Sequence, residues 1–199
     1  MKKIILYSLI IITVSSCSFI YGIHYQKNLD YNEIEEFIVR NDLSEYQNLF
    51  IKENYYECIN KLDLPGEEKR YLLQPLQVFY FDSSKQLLSY HVNCNAGGFP
   101  NLKWDREKHF DQFPPVSQTK LSKNITADLI LGLSNSLSSV DLTIDEGNFY
   151  VIVYWNLFLE RQSKRLIDIV LKNIETHKME NRTKVFLINN DFLFLTDKN

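Results

Sequence analysis

Apolar and polar positions follow two periods along this chain, and the changes of period divide it into elements. Ile34, Phe37 and Ile38 recur at helical spacing behind Asp30-Tyr31-Asn32-Glu33, which has the form of a capping box and predicts a short amphipathic helix near 31–40. Ser44-Glu45-Tyr46-Gln47 is also box-like. It predicts a helix to about Leu62 with Leu49, Phe50, Tyr56 and Ile59 on one face, although Asn48 to Ile51 also reads as the start of a strand. Pro65-Gly66 then closes the N-terminal helical region as a turn. The clearest strand pattern follows, where Leu76–Phe81 and Gln86–Val92 flank the polar stretch Asp82-Ser83-Ser84-Lys85 and predict a β-hairpin. Asn95-Ala96-Gly97-Gly98-Phe99-Pro100 breaks regular structure, and no period returns until past Pro114-Pro115. Leu129, Ile130, Leu133 and Leu137 predict a helix within 128–140.

The last third carries the strongest pattern. Phe149 to Trp155 is a continuous run of β-branched and aromatic residues, as expected of a strand covered on both faces. Leu166, Val170 and Ile174, with Ile167 and Leu171 beside them, predict a helix over Glu160 to about Glu175, and Val185–Asn189 reads as a second buried strand. Strand, helix and strand at this spacing form a βαβ unit, so part of the sheet should be parallel with a right-handed crossover. The expected fold class is α/β: one domain over residues 30–199, with N-terminal helices, a mixed sheet, a hairpin and a C-terminal βαβ unit.

Tyr150 to Val170, YVIVYWNLFLERQSKRLIDIV, resembles the central strand and active-site helix of thioredoxin-like proteins, in which an aromatic-Trp pair precedes Trp-Cys-x-x-Cys. With Tyr154-Trp155 on that pair, Leu159 and Gln162 stand where the two catalytic cysteines would be. The resemblance implies the fold without the dithiol chemistry at this helix. In that family a hairpin follows the unit.

Composition narrows the classes further. Of 199 residues, 45% are hydrophobic and 24% charged, the balance of a folded globular chain, and a net charge of −3 offers nothing global to nucleic acid. The N-terminus changes the picture. Lys2 and Lys3 precede an apolar run from Ile4 to Val14, and Val14-Ser15-Ser16 leads into Cys17, the three parts of a secretory signal. Val14-Ser15-Ser16-Cys17 resembles the lipobox of bacterial lipoproteins. That resemblance implies removal of residues 1–16, lipid attachment at Cys17, a tether over 17–29, and a place in the cell envelope facing away from the cytoplasm. An uncleaved anchor over Ile4 to Ile23 and plain secretion are the alternatives, and both export the same part of the chain.

With Cys17 assigned to the anchor, Cys58 and Cys94 remain. They could form a disulfide, stay as two buried thiols, or act as a redox pair. Arg161, Lys164 and Arg165 crowd the start of the last helix, where they make either an anion-binding site or a solvated basic face. His91 and Cys94 would point to opposite faces of a strand. Asp105, Glu107, His109 and Asp111 alternate as metal ligands would, but read better as a solvated loop, so no metal is expected and no cofactor. Phe99, Trp104, Phe110 and Phe113 pin that loop to the core or, in the second reading, form a sugar or peptide platform. Phosphate loops, dinucleotide fingerprints, nucleophile elbows and His-Glu-x-x-His are absent. The expectation is a lipid-anchored envelope protein acting as a binding or structural module, with an envelope protein or small ligand as partner. The rival is an exported thiol-disulfide or peroxide-handling enzyme using Cys58 and Cys94.

Overall fold

The computed structural model describes Ile23 and residues 28–93, 104–105, 107–136 and 148–195. Cys17, Cys94, the break at 95–100 and residues 137–140 lie outside them. In chain order the elements are α1 (Tyr31–Arg40), β1 (Gln47–Ile51), α2 (Tyr55–Lys61), α3 (Gly66–Leu72), β2 (Gln77–Phe81), β3 (Leu87–Val92), α4 (Ala127–Gly132), β4 (Ser134–Ser136), β5 (Phe149–Trp155), α5 (Glu160–Thr176) and β6 (Thr183–Asn189). Short 3-10 turns occupy His109–Asp111, Glu180–Arg182 and Asp191–Phe194.

Local chemistry sets the ends of these elements. Asp30 caps α1 by accepting from the Asn32 and Glu33 backbone N–H groups. In the hairpin, Asp82 Oδ1 accepts from the N–H groups of Ser84 and Gln86 while Lys85 takes the left-handed conformation, φ 66°, that closes the turn. Thr126 Oγ1 caps α4 by accepting from Leu129 N–H.

The six strands form one sheet in the order β3-β2-β5-β6-β1-β4. β5 pairs in parallel with β6, and β6 with β1, while the hairpin joins β5 through β2 in antiparallel fashion. The fold class is therefore the expected mixed α/β arrangement with a βαβ unit of β5, α5 and β6. The hairpin precedes that unit, as the pattern of Leu76–Phe81 and Gln86–Val92 predicts. Every residue of β2 is buried because this strand lies between β3 and β5 and is covered on both faces.

β5 explains the two cores. Tyr150, Ile152 and Tyr154 point to one face, where residues of α2, α3 and α4 meet them. Val151, Val153 and Trp155 point to the other, which α1, α5 and the segment around Trp104 and Phe110 cover. Trp155 stacks on Phe37 of α1 with ring centroids 4.6 Å apart, tying the first helix to the end of the central strand.

Three expectations change. Of the two readings of Ser44 to Leu62, the strand holds at Gln47–Ile51 and a helix follows, because Gln47–Phe50 find backbone partners on β6 and a helix begins only at Tyr55. Pro65-Gly66 does not close the helical region but starts a helix, α2 having ended at Lys61: Pro65 stands at the N-cap, where its missing N–H costs nothing, and Glu67 and Glu68 follow in the first turn. The helix expected within 128–140 stops at Gly132, and Ser134–Ser136 pair with β1 as an edge strand.

Candidate ligand-binding groove

α5 covers one face of the sheet as far as Thr176, and the chain re-enters the sheet at Thr183. Between the second half of α5, the start of β6 and the turn into β1 lies a groove of about 850 Å³, within the range of small-molecule sites. Leu171, Ile174 and Val185 give it apolar surface, and Ile174 and Val185 belong to the buried core behind it. Its walls carry both charges: Glu45, Asp168, Glu175 and Glu180 against Lys172 and Lys184. Asp168 is already engaged by Lys164 Nζ at 2.9 Å.

Three uncharged groups add hydrogen-bonding capacity. Partial burial, with the hydrogen bond and charge of Glu45, pushes the Tyr46 phenol up to about 12, so it keeps its proton at neutral pH. Gln47 Oε1 and Thr183 Oγ1 are buried atoms without a hydrogen-bond partner among the described residues, and both residues line the groove. An apolar floor with unpaired polar atoms and walls of both signs suits an amphipathic guest bearing an apolar body and polar groups.

The opposite end of the sheet, where β5 and β6 finish, is filled by the protein itself. The buried Asp191 carboxylate accepts from Leu157 N–H at 2.8 Å, from Phe158 N–H at 3.0 Å and from Asn189 Nδ2 at 2.7 Å. Asn156 Oδ1 accepts from Leu159 N–H, and its Nδ2 donates to Asn190 Oδ1 and to the Pro75 carbonyl. Ser163 Oγ accepts from Asn156 N–H and donates to the Asn156 carbonyl. This network fixes the loop between β5 and α5. Burial raises the Asp191 pKa, and the N–H groups that it accepts from pull it partly back.

That network bears on the basic cluster at α5. Arg161, Lys164 and Arg165 are exposed, and Lys164 pairs with Asp168. The N–H groups leading into the helix are already engaged: those of Leu157 and Phe158 by Asp191, that of Leu159 by Asn156, and those of Gln162 and Ser163 by the Leu159 carbonyl. Leu159 and Gln162 are both buried. Cys58 is a half-buried free thiol on α2, packed against the tyrosine-lined core, and Cys94 lies outside the described residues. Among the described residues no group of three or more His, Cys, Asp and Glu side chains is placed to hold a metal ion, and no helix is long and apolar enough to cross a membrane.

Sequence reasoning passed over the groove because its parts come from three separated segments. The Asp191 network left a visible signal: Asn189-Asn190-Asp191 puts three polar residues directly at the end of a buried strand. Compared with known proteins, the chain matches no family model, no curated protein and no solved structure.

Proposed function

We propose that this protein is exported, held at the cell envelope by lipid on Cys17, and works there as a non-catalytic binding module whose ligand occupies the groove beside α5. The groove of about 850 Å³, with unpaired Gln47 Oε1 and Thr183 Oγ1, supports the binding role. The Val14-Ser15-Ser16-Cys17 motif behind a charged and apolar leader supports the location. A tether over 17–29 then joins the anchor to α1, leaving the groove to face whatever the envelope presents.

Leu171→Trp tests the binding role by filling the groove from α5, at a residue only partly buried. Protein isolated from its own envelope under non-denaturing conditions should carry a bound mass that native mass spectrometry detects, and the tryptophan variant, folded by circular dichroism, should have lost it. The binding reading fails if wild type carries no such mass, or if the variant retains it.

A further inference from the structure

On the face of the sheet that α5 covers, the hairpin holds three polar atoms in an unusual state. Tyr80 Oη, Ser89 Oγ and His91 Nε2 are buried and have no hydrogen-bond partner among the described residues, and each residue is at most 1% exposed. Strand register makes them neighbours. Tyr80 of β2 is paired with Ser89 of β3, and His91 follows two residues later on the same face, beside Val78. Native interiors rarely leave such atoms unpaired, and three side by side on one hairpin point to a guest that supplies the partners.

The surroundings define that guest. Ser89, the shortest of the three, stands across from Tyr80 on the paired strand. Phe110 lies on His91 with centroids 4.7 Å apart, and Phe113 meets Tyr80 edge-on at 5.8 Å, so the two phenylalanines roof this patch. No carboxylate, lysine or arginine is buried on this patch among the described residues. His109 pairs with Glu107 at 3.1 Å and touches His91, and His177 lies against Phe113. Burial foremost, and then His109, lower the His91 pKa to about 3 against a backbone hydrogen bond to Val116 that raises it, so the ring is neutral; that bond keeps the ring proton on the other nitrogen and leaves Nε2 a lone pair. Anything bound there must donate to Nε2. The two hydroxyls both donate and accept, and the aromatic rings suit a face of C–H groups.

We propose that Tyr80, Ser89 and His91, beneath Phe110 and Phe113, form a buried binding site for a small neutral polyol, separate from the groove beside α5. Entry requires the roof to lift, and Asn173 of α5 ties it down by donating from Nδ2 to the Phe110 carbonyl at 2.7 Å and to the Gln112 carbonyl at 2.9 Å.

The test is a titration of the full chain with neutral polyols from glycerol to D-glucose. It follows the His91 ring nitrogens by long-range proton–nitrogen NMR, assigned by their loss in His91→Phe. At least one polyol should move the Nε2 resonance saturably and raise the melting temperature. Tyr80→Phe, which keeps the ring, should weaken that binding by about tenfold, the effect of one lost buried hydrogen bond. The same variant without ligand should melt no lower than wild type, since it removes an unpaired hydroxyl. Gluconate, the charged relative of glucose, should not bind. Asn173→Ala should quicken binding without moving the bound Nε2 resonance. The proposal is overturned if no polyol shifts Nε2 saturably, which would mean ordered water only. It also fails if Tyr80→Phe binds as wild type does, or if gluconate competes equally.

Discussion

Asp191→Ala should lower the unfolding free energy by roughly 3–5 kcal/mol, a large share of what a domain of this size has. The loss follows from what the carboxylate holds. Removing it orphans the backbone N–H groups of Leu157 and Phe158 and the Asn189 side-chain amide together, inside a site where Asp191 itself is 1% exposed. Asp191→Asn keeps the shape but turns an NH2 group toward donors, so it should lose nearly as much. Chemical denaturation measures both. A near-neutral asparagine variant would mean that the carboxylate is not what fixes the β5–α5 loop.

Acid should destabilise the protein through His91. Its pKa is about 3 in the fold against 6.5 for an ordinary histidine, chiefly because it is buried. Between those values the unfolded chain binds a proton that the folded one does not, so stability falls as the pH drops from about 6.5 toward 3. Across that window the loss should reach roughly 3–5 kcal/mol, since each tenfold difference in proton affinity between the two states is worth about 1.36 kcal/mol. Asp191 acts in the opposite direction. Its raised pKa lets the folded state take up a proton first, which favours the fold as the pH falls and removes part of the histidine slope. Denaturation midpoints measured from pH 7 to about pH 3.5 should therefore fall steeply in wild type and less so in His91→Phe. Parallel curves would place the acid sensitivity elsewhere.

The parts of the fold legible in the sequence are those where one periodicity runs unopposed. β5 begins and ends with the run from Phe149 to Trp155, because every residue there is apolar or aromatic and both faces are covered. α5 needs only the spacing of Leu166, Val170 and Ile174, and the hairpin only the polar interruption at Asp82–Lys85. Where expectation and structure part, tertiary partners decide. Asn48, Leu49 and Phe50 fit helix or strand alike, and β6, far along the sequence, supplies the pairing that makes them a strand. Pro65-Gly66 carries a turn signal and a helix-start signal at once, and the structure uses the second.

The sites are harder to see for a related reason. Gln47, Leu171 and Thr183 share a groove only because the βαβ crossover returns β6 beside β1. Tyr80, Ser89 and His91 sit in an ordinary alternating hairpin, where nothing in the pattern distinguishes a polar residue under cover from one in solvent. The aromatic residues expected to pin the loop after β3 do so where they are described: Trp104 and Phe110 are buried in the same core as α5.

The proposal of an anchored binding module rests first on Cys17, and intact mass spectrometry of the protein extracted from its native envelope tests it most directly. The expected chain begins at Cys17, without residues 1–16, and carries the mass of a diacylglyceryl group and an N-linked acyl chain. Cys17→Ser should abolish that addition and leave the leader attached. A wild-type chain that still begins at Met1, with Cys17 a free thiol, would contradict the lipid anchor.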